Sequence, residues 1–209
     1  RAETVGGGPE YRDHVAREGI MRVLVACEYS GIVRDAFLRR GHDAVSCDFL
    51  PTESPGPHIQ GDVVKVLDGS WDLVIAHPPC TRLTVAGVCW LHRRDLWSEL
   101  DEACDFFRAF FGSAPRVAIE NPLPHGYATE RIGRRYDQRV QPWQFGHGES
   151  KGICLWLENL PPLEPTNIVD GREQRVWRMA PGPERAKQRS LFFSGVADAM
   201  ASQWGGENE

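Results

Sequence analysis

The 209-residue sequence predicts an α/β fold, a mostly parallel, doubly wound central sheet with helices on both faces. Three observations predict it. Residues 21–27, Met-Arg-Val-Leu-Val-Ala-Cys, form a short β-branched run of the kind that fills a buried strand. Similar runs then alternate with helical patterns along the chain, which calls for right-handed crossovers between parallel strands. No internal repeat and no linker divides the sequence, and 41% hydrophobic content is enough to build one sizeable core.

The elements follow in order. After the first strand, Ser30 is placed to cap a helix reaching Arg40, with Ile32, Val33, Ala36 and Phe37 at helical spacing and Gly41 as its stop. Residues 43–48 read as a second strand. A Pro/Ser/Gly loop covers 50–57, a short third strand 58–62, a short helix 63–67 and a fourth strand 71–76. Residues 82–90 read as a mobile loop. The longest helical pattern is 92–111, with Leu96, Leu100, Ala103, Phe106, Phe107 and Phe110 on one face. Residues 116–120 form a fifth strand, 138–146 and 152–157 are later strands, and 196–204 is a final helix. Residues 1–20 are polar, lack the apolar stretch of a secretory signal, and read as a flexible extension. The domain is expected over 21–204, with 205–209 as a tail.

Several classes of function are disfavoured. No apolar run is long enough to cross a bilayer. The six cysteines (27, 47, 80, 89, 104 and 154) form no CxxC pair and no zinc-spaced cluster with His, so no metal is expected. Reduced thiols in a cytoplasmic setting fit better than a disulfide framework. The net charge of −5 speaks against an indiscriminate nucleic-acid binder. Charge is uneven, however: residues 131–189 carry 11 basic against 7 acidic residues, a local +4 that leaves −9 elsewhere.

In a doubly wound sheet ligands bind beyond the strands' C-terminal ends. Those ends carry Glu28, Asp48, Asp62, the run Pro78-Pro79-Cys80 and the run Glu120-Asn121-Pro122. The turn after the first strand, Cys27-Glu-Tyr-Ser-Gly31, lacks the G-x-G-x-x-G that cradles a pyrophosphate, and Glu28 would repel one. It suits a cationic, phosphate-free nucleoside such as S-adenosylmethionine. Asp48, twenty residues after Glu28, has the spacing of an acid that takes ribose hydroxyls, and Asp62 is placed for the adenine amino group. The two prolines before Cys80 break the strand and put the thiol on the rim, where Arg82 can favour a thiolate. Glu120 ends an apolar strand, where a partly buried carboxyl can hold a proton and pass it to a ring nitrogen. Thiolate and acid together suggest conjugate addition to C6 of a pyrimidine, with methylation at C5.

These motifs resemble the DNA cytosine-5 methyltransferase family, in its compact phage and prophage form, over about residues 22–204. Pro78-Pro79-Cys80 is similar to the family's Pro-Cys nucleophile and Glu120-Asn121-Pro122 to its Glu-Asn-Val motif. Residues 145–151, Phe-Gly-His-Gly-Glu-Ser-Lys, resemble the segment leading into Gln-x-Arg-x-Arg, with Glu149, Lys151 and Ile153 at its three positions. Residues 193–200 resemble the motif whose helix returns to the cofactor. The resemblance implies a Rossmann-like class I S-adenosylmethionine-dependent methyltransferase fold. It implies cofactor contacts from Glu28, Tyr29, Ser30, Gly31, Asp48, Phe49, Asp62, Val63 and Pro78. Catalysis would fall to Cys80, Glu120 and Lys151, and substrate contact to Pro79, Arg82, Asn121, Arg175, Trp177 and Arg178.

The partner implied is DNA, single-stranded or a duplex with the target base flipped out beneath a lid at 81–90, where Thr84, Val85 and Gly87 would let it move. Residues 158–190 would be a reduced target-recognition segment. Its basic residues Arg172, Arg175, Arg178, Arg185, Lys187 and Arg189 imply a short sequence preference or a protein partner that helps find the target. Ile153 stands where the family's second arginine holds the pyrimidine O2, which keeps uracil, a modified base or a free nucleotide open as substrates. An amine methyltransferase would need Asp, Asn or Ser at the position of His77 and an aromatic at Cys80. A non-catalytic cofactor- or DNA-binding homologue is the remaining alternative.

Overall fold

The computed structural model describes residues 19–67, 69–178 and 191–206, with Val176 and Trp177 as backbone alone. Seven strands form one sheet in the order β3-β2-β1-β4-β5-β7-β6. They are β1 (Arg22–Ala26), β2 (Asp43–Asp48), β3 (His58–Gln60), β4 (Leu73–Ala76), β5 (Arg116–Asn121), β6 (Gln138–Val140) and β7 (Ile153–Glu158). β7 runs antiparallel to both of its neighbours, whereas β1 to β5 pair in parallel. This is a mostly parallel, doubly wound, Rossmann-like arrangement with one reversed strand near the edge. The order reverses between β1 and β4, the switch point beyond whose C-terminal strand ends open α/β sheets bind ligands.

Strand alternation divides the core in two. Val23, Val25, Leu73, Ile75 and Ala118 face α1 (Ile32–Arg39) and the C-terminal helix, whose Val33, Phe37, Val196, Met200 and Trp204 are buried there. Leu24, Val74, Ala76, Val117 and Ile119 face the opposite layer. That layer holds Leu100, Cys104 and Phe107 of α3 (Trp97–Arg108) with Ala128 and Ile132 of α4 (Gly126–Ile132). The C-terminal helix, Ser194–Trp204, is numbered α6 below. No described helix is long and apolar enough to cross a membrane.

Four expectations change. The helix at 92–111 is two helices, α2 (Val88–Arg94) and α3, because Asp95 takes a left-handed conformation (φ 51°) and closes α2. The strand at 138–146 stops at Val140, where Pro142 begins a 3-10 turn that a strand ladder could not continue. Helix α4 was not anticipated. The N-terminus of α1 is capped by the side chain of Glu28, and Ser30 plays a lesser part.

Arg34 secures the loop beyond β2. It is fully buried, and its guanidinium donates to Asp35 (2.8 Å), to the hydroxyls of Ser46 and Thr52 (3.2 Å each), and to the carbonyl of Ser54 (3.0 Å). Gly31 lies against it. A Cβ there would stand 2.4 Å from the guanidinium, and φ of 75° independently favours glycine.

Candidate functional site

The parallel register of β1 to β5 brings the expected site residues to a single edge of the sheet. On the β1 side, the Glu28 carboxylate accepts from the amides of Val33 (2.7 Å) and Arg34 (3.1 Å), and from the Ser30 hydroxyl (3.2 Å). It thereby occupies the helix N-terminus at which a dinucleotide's pyrophosphate would sit. Cys27, with φ 58°, turns the chain out of β1, and the Tyr29 carbonyl accepts from the Glu53 amide. At the ends of β2 and β3, Asp48 Oδ1 accepts from the Leu50 amide (2.9 Å) and Asp62 Oδ1 from the Val64 amide (3.1 Å). Phe49 stands beside them 71% exposed, with Leu50 and Val64 also exposed, while Val63 is buried. An exposed aromatic and two carboxylates at adjacent strand ends form a surface suited to a flat, hydroxylated and phosphate-free ligand.

The segments that carry Cys80 and Glu120 are joined directly. Beyond the last β4–β5 pair, Ala76 with Ile119, the register continues in side-chain contacts. His77 Nδ1 lies 3.2 Å from Glu120 Oε2, and Asn121 Nδ2 donates to the Pro78 carbonyl at 2.8 Å. His125 extends the seam: its amide donates to the Leu83 carbonyl (3.0 Å) and its Nε2 to the Arg82 carbonyl (2.8 Å). With His125 Nδ1 accepting from the Ala128 amide, the tautomer is the Nε2–H form. The Val85 amide also reaches the Leu123 carbonyl.

The partly exposed Cys80 therefore lies on a segment laced to residues 120–125 on either side of it, with its own carbonyl accepting from the amides of Leu83 and Thr84. The first half of the expected mobile loop is consequently bonded down. Gly87 serves close packing there, because a Cβ would lie 2.6 Å from the Thr81 carbonyl.

Other expected residues lie elsewhere or have partners. Pro78 is buried and Pro79 exposed. Arg82 is paired with Glu99 at 2.6 Å, and Arg175 with Glu149 at 2.9 Å. Lys151 Nζ lies 5.5 Å from the Phe193 ring, just before α6. Ile153 opens β7 fully buried in the core. Residues 167–175 fold against 143–150 through bridges Phe145–Asn167 and Glu149–Glu173, and Arg172 stacks on Trp143 at 3.8 Å. Arg178 is exposed in α5 (Arg175–Arg178); the Trp177 side chain and Arg185, Lys187 and Arg189 lie outside the described residues.

Sequence reasoning passed over two features. One is the pairing of His77, weighed only as a position wrong for amine chemistry, with Glu120. The other is Trp90, 41% exposed, with the guanidinium of Arg94 4.6 Å and that of Arg93 5.5 Å from its ring.

Four thiols are chemically quiet. Burial, helped by Asp48, Cys47 and Asp62, pushes Cys27 up to about 12. Burial likewise raises Cys47, Cys104 and Cys154 to about 11 each. At pH 8 a thiol at about 11 is about one part in a thousand thiolate, and one at about 12 is about one part in ten thousand. Brief iodoacetamide treatment at pH 8, read by peptide mass spectrometry, should therefore label exposed Cys89 and the rim thiol Cys80 well before these four. Prior labelling of any of the four would contradict the described burial.

No known family profile matches the chain, and no curated protein matches it in sequence. Among solved structures, crystal structures of WbdD resemble it. One covers 68% of this chain and 36% of WbdD, at 13% identity and a TM-score of 0.41. A structure described as the bifunctional kinase-methyltransferase WbdD covers 69% and 36%, at 13% and 0.40. Monomeric WbdD covers 69% and 37%, at 15% and 0.39. The chain thus spans little more than a third of WbdD's length, and a likeness of this size carries no functional inference.

Proposed function

We propose that the protein transfers a methyl group from S-adenosylmethionine to C5 of cytosine in DNA, through a covalent bond between Cys80 and C6. The observation that carries this reading is the seam joining residues 77–85 to 120–125, which holds the segment carrying Cys80 against the segment carrying Glu120 at the C-terminal edge of β4 and β5. The residues present fit the cofactor. Asp48 and Asp62 each use one carboxylate oxygen locally, Phe49 offers an exposed face, and Glu28 closes the phosphate position. S-adenosylmethionine supplies an electrophilic methyl group when bound.

The chain's own residues supply the rest. The Cys80 thiolate forms the S–C6 bond, and the electron pair of the C5–C6 double bond shifts toward N3. Glu120 passes a proton to N3, so charge does not accumulate on the ring. C5, now nucleophilic, takes the methyl group, and the N3 proton returns to Glu120. Loss of the C5 proton to water then expels the Cys80 thiolate and restores the double bond. A base inside a duplex must leave the stack to reach this thiol. Trp90 with Arg93 and Arg94, at the far end of the nucleophile loop, offers stacking and phosphate contact for that strand. The buried Ile153 offers no donor to the pyrimidine O2, which favours as a second reading a different pyrimidine treated by the same thiol chemistry.

The test supplies tritiated S-adenosylmethionine with duplex DNA, single-stranded DNA, RNA or free pyrimidine nucleotides. Label in cytosine of either DNA supports the proposal. Label in another pyrimidine selects the second reading, and label in none of them defeats both.

A further inference from the structure

We infer that His77 is a positioning residue that ties down one oxygen of Glu120 and directs the carboxyl's proton to the other, an inference that rests on the roles proposed above for Cys80 and Glu120. The two side chains are 13% and 12% exposed, and His77 Nδ1 stands 3.2 Å from Glu120 Oε2. The Phe192 ring packs on the imidazole, with centroids 4.9 Å apart. The second ring nitrogen, Nε2, is buried without a partner.

That last fact selects the protonation pattern. A proton on Nε2 would bury a donor with no acceptor, and in the imidazolium the cost rises further because the group is charged. Buried orphan donors are rarer than under-used acceptors. The favoured state is therefore neutral His77 with Nδ1–H donating to Oε2. In this pattern the proton that Glu120 donates is carried on Oε1, the oxygen that the hydrogen bond with His77 leaves for a ligand. Glu120 then presents an O–H in a fixed direction, as transfer to N3 requires.

The surrounding groups do not compete for this proton near neutrality. Cys27, at the end of β1, and Cys154, on β7 beside Glu120, are held neutral by burial at about 12 and about 11. The thiol on the same segment is Cys80, the nucleophile itself. Among the described residues, charged groups on neighbouring elements include Glu28 beyond β1, bonded to the amides of α1, Arg139 of β6, which acts on Cys154, and Lys151 over Phe193.

The test uses two variants and one direct measurement. H77F keeps a ring and removes the donor, whereas H77N keeps an N–H near the position of Nδ1. Losing a donor to the charged form makes Glu120 hold its proton to higher pH. The alkaline limb of methyl transfer should therefore move upward in H77F. Its kcat should fall about 10- to 100-fold with little change in KM, as a loosened catalytic group would give. H77N should restore the limb. An unchanged limb in folded H77F, or no restoration in H77N, would overturn the inference.

Nitrogen-15 NMR of histidine-labelled protein, with the His77 signal assigned by its loss in H77N, reads the tautomer without any substrate. Protonated Nδ1 and bare Nε2 are expected, and protonated Nε2 would overturn the inference. Absence of methyl transfer by the unaltered protein would instead defeat the functional reading, so the two failures are distinguishable.

Discussion

Replacing Cys80 with serine should reduce methyl transfer more than about 1000-fold, equivalent to about 4 kcal/mol of lost transition-state stabilisation. A serine hydroxyl keeps roughly the size of the thiol, but it is far less acidic than a thiol and therefore a much weaker nucleophile near neutral pH. The change should leave the fold intact, since the hydrogen bonds at Cys80 that fix the loop use its backbone carbonyl, accepting from Leu83 and Thr84. Cofactor binding should stay near normal, because Asp48, Phe49 and Asp62 lie on β2 and the turn after β3, remote in register from the β4–β5 seam. Calorimetry with S-adenosylmethionine separates the two effects. A C80S protein that transfers methyl at the native rate would remove the thiol from the mechanism.

Replacing Arg34 with methionine should give the largest loss of stability, about 3–5 kcal/mol. The side chain is fully buried, and its removal takes the cation from Asp35 and several donors from the Ser46 and Thr52 hydroxyls and the Ser54 carbonyl, leaving the loop held by the weaker Ser46–His58, Thr52–Ser54 and Ser54–Asp35 contacts. For a domain of this size each kcal/mol lowers the melting temperature by about 2–4 °C. Thermal unfolding followed by circular dichroism should thus fall by about 6–20 °C. Affinity for S-adenosylmethionine should fall as well, because Arg34 anchors the loop that follows Phe49. Lysine would not rescue the loss, since one ammonium cannot span partners on both α1 and the loop. An R34M protein as stable as the native one would show that the network contributes little.

The sheet could be read from sequence because its strands are short, apolar and separated by turn residues, and because parallel connectivity leaves few topologies open. The same topology brought Cys80, Glu120, Asp48 and Asp62 to one edge. Side-chain direction was harder to obtain. Leu73, Ile75 and His77 alternate onto one face of the sheet, as do Ala118 and Glu120, but only the register of β4 against β5 sets His77 opposite Glu120.

Glu28 read as a ligand-facing acid, whereas its carboxylate is spent on the amides of α1. A carboxylate that caps through a turn of left-handed glycine has no short sequence signature. Arg34 lies within a helical pattern where an arginine is ordinarily solvated, and its partners are carbonyls of a loop whose path no periodicity reveals. Helix α4 is hidden by the prolines and the glycine at its start, and is capped by a histidine, His125, in place of Ser or Asp.

The most direct test of the proposed chemistry is a trapping measurement. The protein is incubated with S-adenosylmethionine and an oligonucleotide containing 5-fluorocytosine, whose C5 fluorine cannot leave as a proton does. Digestion and peptide mass spectrometry should then find the oligonucleotide, carrying one added methyl group, bonded to the peptide that contains Cys80. Methylated cytosine in ordinary DNA without any such adduct, or an adduct on another cysteine, would contradict the account.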